Sequence, residues 1–321
     1  MKRLNNLFEI IASTDNIRSA IADASKGKSR RKDVIAVNAD IEKYVEELHT
    51  ILISQSFINS LYETFEIEAK GKKRIIYKLP FFPDRVLHHC IVRVLQPIWI
   101  NQSIRDTYSS IPGRGVHDGV TRLKAALKDT DGTKYCLKID VRKFYPSVNH
   151  DALKRDLRRT LKDEKLLSLL DVIIDSAEGL PIGNYVSQWF GNLYLTRFDH
   201  YAKEVLQAKY YFRYCDDIVV LSADKERLHM ILSQMRQYLT ENLCLTVKEN
   251  YQIFPVDARG IDFLGYRFFH GFTLIRKRIV KEFKHKHKTK TGEQFRQSMA
   301  SYHGWFLHAN TRRLTLKYKI S

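Results

Sequence analysis

Two adjacent carboxylates interrupt an otherwise apolar run at Phe212-Arg213-Tyr214-Cys215-Asp216-Asp217-Ile218-Val219-Val220-Leu221. Aromatic residues before the pair and β-branched residues after it favour strands, and a tight turn at the acids places both carboxylates at a sheet edge. Aspartates are common in turns because they bond their own backbone, so the pair alone is a weak signal. A third acid makes it stronger. Asp140 ends another β-rich run, Tyr135-Cys136-Leu137-Lys138-Ile139-Asp140, about 75 residues earlier. Carboxylates gathered at strand ends are what a two-magnesium site needs. One cation lowers the pKa of an attacking hydroxyl, and the other neutralises a triphosphate and the departing pyrophosphate.

The rest of the 321 residues mixes helical and strand patterns without regular βαβ alternation, which predicts an α+β fold. Residues 1–60 carry apolar positions at helical spacing. A hairpin is expected from 62–68 and 73–79 about Lys70-Gly71, and Asp84 is expected to open a helix after Pro80 and Pro83. Helices are expected at about 117–127, 150–176, 184–206 and 224–242, and short strands at 244–249, 251–256 and 263–268. Cys90, Cys136, Cys215 and Cys244 are scattered with no CxxC pair, so neither a disulfide framework nor a zinc site is expected, and a reduced cytoplasmic setting fits. No window has the ~20 uncharged apolar residues of a membrane span, and Met1-Lys2-Arg3 leads into no signal-peptide core.

Charge points to the partner. The formal net charge is +18, and Arg276–Ser321 carries 13 Lys/Arg against 2 Asp/Glu. Nucleic acid is the expected partner of so basic a chain. The aromatics in that tail, among them Phe283, Tyr302, Trp305 and Phe306, suit either packing of a small helical domain or stacking on bases. A second basic cluster runs from Lys26 to Lys32.

Tyr214-Cys215-Asp216-Asp217 between hydrophobic strands resembles the YxDD motif of reverse transcriptases. Lys138-Ile139-Asp140-Val141-Arg142-Lys143-Phe144-Tyr145-Pro146-Ser147-Val148 resembles the family motif that carries the first catalytic aspartate. The resemblance runs in order from about residue 70 to 270. It implies a right-hand fold with an N-terminal helical extension (1–60), fingers (61–134, with 150–180 contributing), palm (135–149 and 181–270) and basic helical thumb (271–321). It also implies that Asp140, Asp216 and Asp217, with Val141, hold two Mg2+ ions. Tyr145 matches the position of a steric gate, whose ring would clash with a ribose 2′-hydroxyl. Read without the family, the alternative for Tyr145 is a core aromatic.

Lys72-Lys73-Arg74 resembles the fingers strand that clasps the triphosphate, with Lys72 and Arg74 as the contacts, since a guanidinium fork matches phosphate oxygens. Lys248 stands where the family has a lysine thought to protonate pyrophosphate, although a lone strand lysine is commonly solvated. Phe263-Leu264-Gly265-Tyr266 resembles the hairpin that grips the primer. Leu180-Pro181-Ile182-Gly183-Asn184-Tyr185-Val186-Ser187-Gln188 is the most discriminating stretch. Its Ile182, Gly183, Ser187 and Gln188 correspond to residues that touch the incoming nucleotide and template base. Intron and retron enzymes usually carry Gln-Gly and Ser-Pro here. The Ile-Gly-x-x-x-Ser-Gln pattern resembles the reverse transcriptases of diversity-generating retroelements, which copy a template RNA with errors at adenines alongside a small basic accessory protein. The implied function is RNA-directed DNA synthesis on template RNA and its RNA/DNA hybrid with dNTPs. The alternative is a phage-defence or retron-like enzyme copying a dedicated non-coding RNA. An RNA-binding module with a vestigial site is disfavoured because all three acids are present. An RNA-dependent RNA polymerase is disfavoured by the bulky Tyr145.

Overall fold

The computed structural model describes residues 3–69 and 71–318. Lys70, at the expected hairpin turn, and Lys319, Ile320 and Ser321, at the end of the expected thumb, lie outside the described residues. The chain forms two compact units, each assembled from three separated stretches.

The first unit comprises Met1–Ile104, Arg142–Asp199 and Tyr238–Leu245. Several of its helices start at side-chain caps. Ser13 accepts from Asn16 N at 3.3 Å, Asp40 from Lys43 N at 3.3 Å, and Asn149 from Ala152 N at 2.9 Å. The expected helix over 150–176 is two helices, His150–Thr160 and Glu164–Ile174. Asp163 causes the break. One of its oxygens caps the second helix through Leu166 N (3.2 Å), and the other accepts from Leu7 N and Phe8 N at 2.7 and 2.8 Å. Asp84 stands in the first turn of the next helix, as expected: Phe82 is extended at φ −122° and ψ 138°, and the helix runs on from there into Val86–Gln102. Asp84 is fully buried and takes the amide and hydroxyl of Ser60 at 3.0 and 2.6 Å. The hairpin is present as β1 (Glu63–Ala69) and β2 (Lys72–Lys78), paired antiparallel.

Two histidines on Val86–Gln102 give this unit an acid-sensitive core. Burial, then the neighbouring His89 and Arg85, pull His88 down to about 3, and burial with Arg85 pulls His89 to about 4. Both fold as neutral rings. The unfolded chain binds protons at the ordinary value of 6.5, so stability is fully present above that pH and is lost as pH falls toward 4. His88 alone is expected to account for roughly 2–3 kcal/mol at pH 4.5. Urea unfolding at pH 7 and 4.5 checks this, and a midpoint unmoved by acid refutes it.

The second unit comprises Arg105–Val141, His200–Gln237 and Thr246–Ser321. Its centre is an antiparallel sheet of β3 (Tyr135–Asp140), β4 (Tyr210–Tyr214), β5 (Asp217–Ser222) and β6 (Gln252–Pro255), in the order β4-β5-β3-β6. Val120 and Leu123 of helix Val116–Ala126 pack with Cys136, Phe212 and Val219 of the sheet. Each such buried aliphatic contributes ~1.5–3 kcal/mol. The expected strand at 244–249 reduces to one bridge, Val141 to Val247, because Cys244 turns the chain at φ 52°. The expected strand at 263–268 is a hairpin. β7 (Ile261–Phe263) and β8 (Tyr266–Phe268) turn at Leu264 and Gly265, both at positive φ, and β9 (Thr273–Ile275) completes a three-stranded sheet. In the basic tail Phe283 lies 5.4 Å from Tyr302 and 4.9 Å from Phe306, centroid to centroid, and all three are buried. These rings pack the helices Lys277–Thr289 and Gly292–Phe306 together, while Lys277, Lys281, Lys284 and Lys288 remain exposed.

Candidate active site

The second unit gathers the three aspartates at one end of the sheet. Asp140 and Asp217 are register partners on β3 and β5, and Asp216 occupies the β4–β5 turn. The backbone there is pinned. Val141 N donates to Asp216 O at 3.3 Å, and Cys215 sits at φ 54° with its carbonyl accepting from the Arg213 guanidinium at 3.0 Å. Arg213 is fully buried in β4. Lys248 N donates to Asp140 O at 2.9 Å, and its Nζ pairs with Asp140 Oδ1. Lys138 Nζ lies 3.4 Å from Asp217 Oδ1.

Asp217 Oδ1 is buried and makes no hydrogen bond. Burial pushes its carboxyl up to about 6, with the Asp140 charge adding to the rise and Lys138 opposing it. A buried carboxylate oxygen with no hydrogen bond is costly unless cations meet it, and a single lysine ammonium at 3.4 Å does so only in part. The hard oxygens of Asp140, Asp216, Asp217 and the Val141 carbonyl suit magnesium, so the residues present fit that ion. Among the described residues no three acidic, His or Cys side chains are already drawn together as a metal cage. Lysines neutralise Asp140 and flank Asp217 instead.

Phe263 and Tyr266 of the hairpin point into the core, where Tyr266 Oη donates to Trp305 O at 3.0 Å. Gly265 needs its missing side chain. At φ +87° a Cβ would stand 2.5 Å from the Trp305 ring.

The first unit holds the other sequence-derived residues. β2 carries Arg74, exposed opposite Ile67, and Lys73 pairs with Glu66 at 3.3 Å. The side chain of Lys72 lies outside the described residues. Tyr77 N on β2 donates to Ile182 O at 2.8 Å, which ties the strand to the Leu180–Gly183 turn. Tyr145 O accepts from Leu180 N at 2.8 Å, so the same turn also holds the half-buried Tyr145. Asn184 donates to Tyr62 Oη at 2.8 Å, and helix Tyr185–His200 follows, with Ser187 buried and Gln188 exposed. Gly183, at φ +126°, would place a Cβ 2.3 Å from the Tyr77 carbonyl. Gly183→Val is therefore expected to separate β2 from this turn and lower Tm by several degrees. Thermal unfolding checks it, and an unchanged Tm refutes it.

Sequence reasoning overlooked Lys138 and Arg213. Each carried a signal, because a basic residue inside a buried strand has to find a partner.

With three strand-end acids on an antiparallel sheet in place, the family is decided by comparison. Residues 64–268 match the reverse transcriptase (RNA-dependent DNA polymerase) family. The chain belongs to that family. It is 25% identical over 256 residues to Protein YkfC of Escherichia coli (strain K12), covering 66% of this chain and 65% of that one. It is 26% identical over 175 residues to Retron Ec73 reverse transcriptase of Escherichia coli, covering 49% and 55%. In fold it is similar to apo telomerase from Candida tropicalis, with TM-score 0.53 at 13% identity over 80% of this chain and 57% of that one. The chain thus spans less than two thirds of the length of each of these proteins. The α+β architecture is the right-hand fold of the family. No helix among the described residues is long and apolar enough to cross a membrane.

Proposed function

We propose that this reverse transcriptase is an RNA-directed DNA polymerase that copies a template RNA into cDNA. The supporting observation is the pairing of Asp140 with Asp217 at one sheet end, with Asp216 in the adjoining turn. Asp140, Asp216, Asp217 and the Val141 carbonyl would hold two Mg2+ ions, which supply charge neutralisation at the phosphates and acidify the primer hydroxyl. Arg74 and Lys72 would steady the β- and γ-phosphates. Lys248 would stand by to protonate pyrophosphate, and Tyr145 to exclude the 2′-hydroxyl. The exposed lysines of helix Lys277–Thr289 would hold the RNA/DNA hybrid through its phosphates, in a cytoplasmic setting. In domain terms, residues 61–134 with 150–180 would act as fingers, 135–149 and 181–270 as palm, and 271–321 as thumb, behind the 1–60 extension.

The Ile182-Gly183-x-x-x-Ser187-Gln188 pattern supports the narrower reading of a diversity-generating retroelement enzyme with a small basic accessory protein. If Ile182 and Gln188 hold the nascent pair loosely, misincorporation clusters at template adenines. The likeness to a retron reverse transcriptase over 175 residues favours a second reading, a retron or phage-defence enzyme copying its own non-coding RNA. Primer extension on RNA with dNTPs and magnesium, followed by product sequencing, separates the two. Adenine-directed errors support the retroelement, and uniform low error supports the second reading. No synthesis, even with the native RNA and accessory protein, rejects the polymerase.

A further inference from the structure

We infer that Lys138 is a positioning residue that ties the β7–β8 hairpin to the catalytic carboxylate Asp217, so that the hairpin and the acid are set by one nitrogen. The inference rests on the polymerase reading of the site. Lys138 precedes Asp140 by two residues on β3, so strand alternation puts both side chains on one face. Its Nζ donates to the backbone carbonyl of Asp262 in β7 and lies 3.4 Å from Asp217 Oδ1. Arg276 grips the same hairpin beyond it. Its Nε donates to Asp262 Oδ1, and its backbone N donates to Gly265 O at 3.0 Å, at the turn itself.

The two active-site lysines are held differently. Lys248 pairs with Asp140 Oδ1 directly. Lys138 donates its hydrogen bond to the hairpin main chain at Asp262 O and forms an ion pair with Asp217 Oδ1 at 3.4 Å. A displacement of the hairpin therefore carries the cation with it and alters both the field and the orientation at Asp217. A primer end resting on the hairpin would be registered to the carboxylate through this link. Phe263 and Tyr266 are buried beneath the turn, so the hairpin is stiff enough to transmit it.

The test uses the full chain with an RNA template annealed to a DNA primer carrying 2-aminopurine at its 3′ end. Fluorescence of the terminus is read without magnesium, and extension kinetics with it. Lys138→Met is expected to brighten the terminus, lower kcat about tenfold, leave hybrid affinity within about twofold and keep Tm within about 2 °C. Lys138→Arg is expected to restore at least half of kcat. Lys138→Met combined with Arg276→Met should be no worse than the poorer single variant, since both cut one chain of contacts. Wild-type fluorescence and kcat in Lys138→Met, or effects of the two variants that multiply, overturn the inference. If Lys138→Met does not fold, Arg276→Met is read instead, and a wild-type terminus there overturns it equally. A wild-type chain that makes no DNA counts against the polymerase reading, while the magnesium-free fluorescence still decides the role of Lys138.

Discussion

Asp217→Asn is expected to abolish DNA synthesis while making the metal-free protein harder to unfold. The carboxyl of Asp217 stands at about 6 instead of 3.8, raised first by burial. A raised carboxyl pKa means the folded state disfavours the charge, so stability is gained as pH falls through 6 and is reduced at pH 7. The ionised group costs roughly 1–3 kcal/mol at pH 7, by the conversion of a pKa shift to free energy. Asparagine keeps the shape and removes the charge, so Tm in EDTA should rise by several degrees. Activity should fall ~10³-fold or more, the loss of a charged oxygen that would hold Mg2+ at the reacting phosphates. Asp216→Ala and Asp140→Ala should match the activity loss. Asp140→Ala should not share the gain in stability, because the Asp140 carboxylate is paired with Lys248. Residual synthesis above about a tenth removes Asp217 from the site, and a fall in Tm removes the stated cost of its burial.

Tyr145→Ala is expected to admit ribonucleotides. The ring is half-buried, its carbonyl is fixed by Leu180 N, and the Phe144 ring lies 5.4 Å away edge-on. Gly191, on helix Tyr185–His200, lets both rings pack close on its backbone: a Cβ there would lie 3.2 Å from Phe144 and 3.7 Å from Tyr145. A ring braced this way has little freedom to yield to a 2′-hydroxyl, and exclusion by shape is set by how far the wall can move. The ratio of kcat/KM for dNTP over rNTP should drop about 10²-fold in Tyr145→Ala and hold within a few-fold in Tyr145→Phe. An unchanged ratio in the alanine variant assigns Tyr145 to the core alone.

The gathering of the three acids was legible in the sequence where local chemistry dictated it. The Asp216-Asp217 pair showed because apolar strands on either side leave a turn no other place, and Asp140 showed because it ends a strand. The 150–176 segment was misread because its apolar positions Leu153, Leu157 and Leu161 keep helical spacing, and the break comes from Asp163 bonding the amides of Leu7 and Phe8, more than 150 residues away. Lys138 and Arg213 were overlooked for the same reason. Their partners, the carbonyls of Asp262 and Cys215, are backbone atoms that no side-chain pattern announces. The tail aromatics were ambiguous because packing and base stacking ask for the same rings, and only their burial separates the two uses.

The central sheet also sets an order of events during synthesis. β3 is flanked by β5, about 80 residues later in the chain, and by β6, which ends at Pro255. A growing polypeptide therefore leaves the ribosome with its first acidic strand unpaired on both edges for about 80 residues and on the β6 edge for more than a hundred, exposing Cys136, Leu137 and Ile139. Pairings of such long sequence separation form slowly. Ribosome pauses or chaperones that shelter residues 135–140 until about residue 255 has emerged should thus govern how much of the chain reaches the folded state.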